Sequence, residues 1–154
     1  MRIRRFEPKD TEEVARLFHD TVRTVNRRDY SQPQVEAWAP DQPDLVRWTE
    51  TCQSRMTFVA EEAGQILGFG ELEADGHIDR FYVHHAHQRE GVGRTLLAAL
   101  ESEARRLGVA RLFAEVSTTA MPFFASMGFQ TVRQQTVTFR GVAFVNFVME
   151  KILR

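Results

Sequence analysis

The segment from Ile78 to Arg94 constrains this chain more than any other. The run Ile78 to Val83 is β-branched and aromatic, and it is followed by Gln88-Arg89-Glu90-Gly91-Val92-Gly93-Arg94. From Val92 the apolar residues fall at Leu96, Leu97, Leu100, Ala104 and Leu107. The first run predicts a strand, and the spacing of three and four predicts an amphipathic helix. The glycines therefore sit at a strand-to-helix turn, where a missing Cβ lets backbone close on a ligand. Unpaired first-turn amides and the positive end of the helix dipole make such a turn a seat for an anion, phosphate above all. A dinucleotide-binding loop would want a third glycine where Leu96 stands, and a P-loop would want Gly-Lys-Ser/Thr, which is absent.

The flanking chain supplies the fold class. Met1 and Ile3 alternate with arginines as a short first strand, and Asp10 with Glu13 reads as a capping box for a helix marked by Val14, Leu17, Phe18, Thr21, Val22 and Val25. Pro33, Pro40 and Pro43 restrict the next stretch to short helices at about 34–38 and 44–54. Trp48 reads as core, whereas Tyr30 and Trp38, among turn residues, either pack in the core or line a substrate site. Strands at 56–61, 65–73 and 77–83 form an antiparallel meander, with Gly68 and Gly70 marking a bulge or a close backbone approach. The central helix ends at Gly108, and a strand from Leu112 to Val116 follows a helical crossover that implies parallel pairing with the strand ending at Val83. A short helix from about 120 to 127 and a hairpin of 129–139 with 142–151 complete an α/β single domain, spanning 1–154, with a mixed, largely antiparallel central sheet flanked by helices.

This order, together with Gln-x-x-Gly-x-Gly at the strand-to-helix turn and Ala120-x-x-x-Phe124-x-x-x-Gly128-Phe129, resembles the GNAT superfamily of acyl-CoA-dependent N-acetyltransferases across nearly the whole chain. The resemblance implies a GNAT-like fold and transfer of an acetyl group from acetyl-CoA to a small-molecule or peptide amine by direct attack. It further implies that the loop Gln88, Arg89, Glu90, Gly91, Val92, Gly93 and Arg94 holds the pyrophosphate, and that Phe81, Tyr82 and Val83 hold the pantetheine in a wedge. The amide of Val83 is then the candidate oxyanion donor. His77, counted back from Gln88, stands where some members have a glutamate base, and its ordinary pKa of about 6.5 suits that task. Asp79 shares its strand face, and Glu71 and Glu73 on the neighbouring strand are further acidic candidates, placed with Tyr30 and Trp38 on the acceptor side.

Two positions depart from the family pattern. Phe124 stands where a tyrosine commonly protonates the CoA sulfur, and Ser117 where an asparagine often contacts the cofactor; both are nonetheless cofactor-site candidates. A thiol of pKa about 8.5 leaves tolerably without an acid, which favours an enzyme. The alternative is a catalytically silent acyl-CoA-binding, sensing or interaction module that uses the last hairpin, rich in Phe139, Phe144 and Phe147.

Charge and composition limit the partners. Twenty basic against 21 acidic residues give no global field for nucleic acid. No apolar run approaches membrane-spanning length, so no membrane partner and a cytoplasmic setting are expected. Cys52, the one cysteine, reads as packing rather than a nucleophile. His84, His85 and His87 lack the companions of a metal site, so no metal is expected. The partners expected are CoA and a small-molecule or peptide amine, with the chain a monomer or a homodimer.

Overall fold

Two antiparallel sheets meet along one short seam in the computed structural model, which describes residues 1–154. The first sheet has the order β1 (Arg2–Arg5), β2 (Met56–Glu62), β3 (Gln65–Leu72), β4 (Ile78–Val83), and the second places β7 (Val142–Ile152) between β5 (Arg111–Ser117) and β6 (Gln130–Phe139). The helices are α1 (Thr11–Thr24), α2 (Gln32–Trp38), α3 (Leu45–Ser54), α4 (Val92–Arg106) and α5 (Met121–Ser126). This is the α/β fold expected, but the parallel pairing of β4 with β5 is reduced to one bridge, His77 with Phe113. It is reinforced by the Phe113 amide, which donates to the Gly76 carbonyl at 3.1 Å. Gly76 has φ +97°, and a Cβ there would lie 2.0 Å from the Arg111 carbonyl oxygen, so only glycine permits the seam. Beyond it the strands part.

The apolar stripe of α4 explains the main core. Leu96, Leu97, Leu100 and Ala104 are all at or below 1% exposure. Three of them, Leu97, Leu100 and Ala104, cluster with Leu72 and Ile78 of the first sheet and with Leu112 and Met149 of the second. One helix thus joins both sheets. Leu100→Ala would cost about 2–5 kcal/mol by opening a cavity at that joint. Across the first sheet, Val14 and Leu17 of α1 pack on Val59, Ile66 and Phe69. Close approach is also what Gly68 and Gly70 provide: a Cβ at either would come within 3.0 to 3.1 Å of β4 and of a side chain of α4.

The capping box expected of Asp10 and Glu13 does not form. The Asp10 carboxylate instead takes two bonds from the Arg4 guanidinium, at 2.8 and 2.9 Å, and one from the Glu7 amide. Glu13 leaves its own helix to accept from the Ile66 amide at 2.7 Å. The partly buried Arg4 fork outcompetes a local cap because it gives the carboxylate two bonds from a charged donor, where a cap gives it one from a neutral amide. No helix is long and apolar enough to cross a membrane.

Candidate active site

The site begins with an irregularity in β4. Gly70 pairs with Phe81 and Leu72 with Ile78, so β4 carries one residue more than β3 across that interval. The extra residue is accommodated at Asp79 and Arg80, a β-bulge that re-aims the side chains it contains. Arg80 turns onto the Trp48 ring, 3.8 Å from its centroid, and closes on Glu71. Asp79 turns to the space between the parted strands, where Arg55 contacts its carboxylate.

Backbone polarity follows from the same register. The His84 amide donates to the Leu67 carbonyl at 2.8 Å, so strand alternation directs the amides of Phe81 and Val83 away from β3 and into the gap. The Val83 carbonyl, on that side too, accepts from Gln88 Nε2 at 2.7 Å and from Thr21 Oγ1 at 3.2 Å. Gln88 therefore ties the loop to the strand. Gly91, with φ +85°, starts α4, and Gly93 packs so closely that a Cβ would meet the Phe123 ring at 3.1 Å.

Two cavities occupy the gap. One, of about 620 Å³, runs along β4, the glycine loop and α5. The other, of about 900 Å³, lies beneath α1, α3 and the β6–β7 hairpin. Trp38, Asp79, Tyr82, Glu115 and Ser117 line both and so form a common wall.

Most of the expected cofactor residues converge on the first cavity: Phe81, Tyr82 and Val83 from β4, the loop from Gln88 to Arg94 apart from Glu90, and Ser117 and Phe124 opposite. Glu90 is exposed and faces His87 at 3.2 Å. Phe124 is 3% exposed and stands edge-on to Phe81 and Phe129, so this position holds a ring without a hydroxyl. The acceptor-side expectations divide. Trp38 lines both cavities and Tyr30 the second. The Tyr30 hydroxyl is committed to structure, donating to the Val145 carbonyl at 2.7 Å and accepting from the Thr118 amide at 2.9 Å. Glu71 is fully buried against Arg80 and Glu73 is turned to His77, so neither reaches a cavity wall.

His77 requires a correction. Its ring lies between two carboxylates, with Nε2 at 2.7 Å from Glu115 and Nδ1 at 2.7 Å from Glu73. The hydrogen bond to Glu115, with help from Glu73 and against partial burial, raises its pKa to about 9. An imidazole that is already protonated at neutral pH accepts no proton from an amine, and His77 lines neither cavity. It acts instead on Glu115, whose carboxyl it holds below the ordinary range.

Sequence reasoning missed Glu115, Asn26 and Arg28. Glu115 left a signal, the one carboxylate of its strand, set between the buried Ala114 and Val116. Asn26 is buried, with Nδ2 at 3.4 Å from Ser117 Oγ, and Arg28 brings a third guanidinium to the first cavity beside Arg89 and Arg94. Neither belongs to a motif. Burial pushes the Cys52 thiol up to about 12, consistent with packing rather than chemistry.

Residues 26–151 match the family model described as Acetyltransferase (GNAT) domain. A protein of Escherichia coli (strain K12) described as uncharacterized N-acetyltransferase YafP is 36% identical over 149 residues, covering 97% of this chain and 94% of that one. A crystal structure from Rhodopseudomonas palustris, described as a GCN5-related N-acetyltransferase (aminotransferase, class-II), matches with TM-score 0.95 and 32% identity over 99% of this chain and 95% of its own. The PaiA N-acetyltransferase of Thermoplasma acidophilum, solved in complex with coenzyme A, shares the fold with TM-score 0.82 at 20% identity over 98% of each chain.

Proposed function

This chain belongs to the GNAT acetyltransferase family and is an acetyl-CoA-dependent N-acetyltransferase, and from that premise we propose that the acetyl group crosses the gap between β4 and β5 to an amine bound in the second cavity. The observation that carries the reading is the common wall, which gives a cofactor on one side and an acceptor on the other a single place to meet.

The residues suit the cosubstrate. First-turn amides of α4 and the guanidinium groups of Arg28, Arg89 and Arg94 would hold the pyrophosphate, and Gly93 lets the Phe123 ring pack directly against that first turn. The amides of Phe81 and Val83 would pair with the pantetheine. Of the two, Phe81 is the better oxyanion donor than Val83, because it lies between Asp79 and Tyr82 of the common wall; such a donor is worth about 3 kcal/mol. Asn26 and Ser117 would close the opposite side.

Acetyl-CoA supplies the acetyl group as an activated thioester. The nitrogen–carbon bond forms as the carbon–sulfur bond breaks, so R–NH3⁺ and the thioester give the amide, CoA–SH and one proton. Asp79 and Glu115, on the common wall, would draw the amine in as an ammonium and pass its proton to water. Phe124 has no proton for the sulfur, and departure of the thiolate relies on its own acidity.

Calorimetry with acetyl-CoA and release of CoA in the presence of amines test the reading. Gly93→Glu should lose acetyl-CoA binding, at least 100-fold, while its far-UV spectrum stays native. Undiminished affinity in the folded variant would remove the loop from the site.

A further inference from the structure

The second cavity carries charge in a pattern that narrows the acceptor, an inference that rests on the two-cavity reading above. We propose that the acceptor is zwitterionic: an amine on a molecule that also bears a carboxylate or similar anion close to the nitrogen, with an apolar body, as in an amino acid or a near analogue.

One carboxylate of the common wall is already answered by a cation. Asp79 contacts Arg55, and both side chains, 37% and 22% exposed, line the second cavity. A simple cationic amine that binds Asp79 must displace Arg55 and leave its guanidinium without that partner. The only other carboxylate near it is Glu71, at 3.6 Å and already engaged by Arg80. A zwitterion exchanges with the pair at no loss of ionic contacts: its ammonium takes Asp79 and its anion takes Arg55. In an amino acid those two charges are separated by about one contact distance, as they are in the pair being replaced.

The rest of the wall agrees. Glu115 is engaged by His77, and Asp44 caps α3 by accepting from the Arg47 amide at 3.1 Å. Arg80 is satisfied from behind by Glu71, and Arg140 donates to the Ala37 carbonyl at 2.8 Å. The Arg47 guanidinium, on the first turn of α3, has no carboxylate partner, and it lines the cavity at the opposite end of that helix from Arg55. Arg47 and Arg140 thus lack a carboxylate partner and only Asp44 lacks a cation, so the uncompensated charge of this wall is positive. That repels a polycation such as a polyamine and draws in a molecule carrying an anion. Between the charges stand Trp38, which meets Tyr82 and Phe144 edge to face, and Trp48, which meets Phe18 in the same way, and these rings leave apolar surface for the body of the acceptor.

The test compares matched pairs, amino acids against the amines left by their decarboxylation, among them phenylalanine with 2-phenylethylamine and methionine with 3-(methylthio)propylamine. Binding to the full chain saturated with CoA is read by calorimetry, and transfer by CoA release from acetyl-CoA. Within at least one pair the carboxylate-bearing member should bind at least tenfold tighter and react with the higher kcat/KM. Arg55→Gln should invert that order, weakening the zwitterion and strengthening the plain amine, because Asp79 is then unanswered; a damaged fold would weaken both. Arg55→Lys, which keeps the charge, should keep the order. Equal or reversed preference in the native protein, no binding by either member of any pair, or an unchanged preference in Arg55→Gln would each overturn the proposal. The two-cavity reading fails separately, on acetyl-CoA affinity in Gly93→Glu.

Discussion

Stability should fall between pH 6.5 and about 9 as His77 loses its proton, and replacing that one residue should abolish the fall. In the folded state the imidazolium is held by Glu115 and Glu73, which raises its pKa from 6.5 to about 9. The pKa is raised, so the stabilisation is complete below 6.5 and is lost as pH climbs through about 9. The span between the two values sets a ceiling of about 3 kcal/mol. The carboxylates are 37% and 46% exposed, and solvent screening brings the expected figure to about 1–2 kcal/mol. Urea unfolding of the native protein and His77→Gln at several pH values across the window measures it. The difference between the two curves should shrink as pH rises. His84, whose pKa is lowered by burial, acts at lower pH and with the opposite sign, but it is common to both proteins and drops out of the difference. An imidazole resonance of His77 titrating near 6.5, or parallel stability curves across the window, would refute the argument.

Phe124→Leu should weaken acetyl-CoA binding and slow transfer, and the native rate profile should show no alkaline loss attributable to a tyrosine near pH 10; a leucine variant with full rate and affinity would detach this ring from the cofactor site. Tyr30→Phe should cost about 1–3 kcal/mol in urea unfolding, because the Val145 carbonyl and the Thr118 amide both lose their partner. Unchanged stability would show that water replaces the hydroxyl there.

The sequence made the periodic elements legible. The stripe from Val92 to Leu107 and the alternation of the last hairpin each required only local spacing, and the glycine loop declared itself by what its backbone must do. The placement of β7 between β5 and β6 was not legible, because strand order depends on pairing across distant sequence. The site divides in the same way. Residues expected to act through backbone, such as Val83 and Gly93, lie along the first cavity. Residues that act through charge were partly misassigned: His77 has the right residue type at the expected place, but Glu115, 38 positions away, turns it from a base into a fixed cation. Asp79 was grouped with His77 by simple alternation, and only the bulge shows that it leaves that row.

The seam between the sheets has a meaning in time as well as space. Every strand of the first sheet ends by Val83 and every strand of the second begins at or after Arg111, so the cleft divides an earlier stretch of polypeptide from a later one. During synthesis the first ladder can close while the second is still inside the ribosome, and the second is complete only when its middle strand, the last to emerge, slides between two that preceded it. Until then the face of α4 that later covers Leu112 and Met149 stands open to solvent. The cleft thus marks the border between two episodes of folding. Hydrogen exchange should reveal it as a border between slow and slower amides.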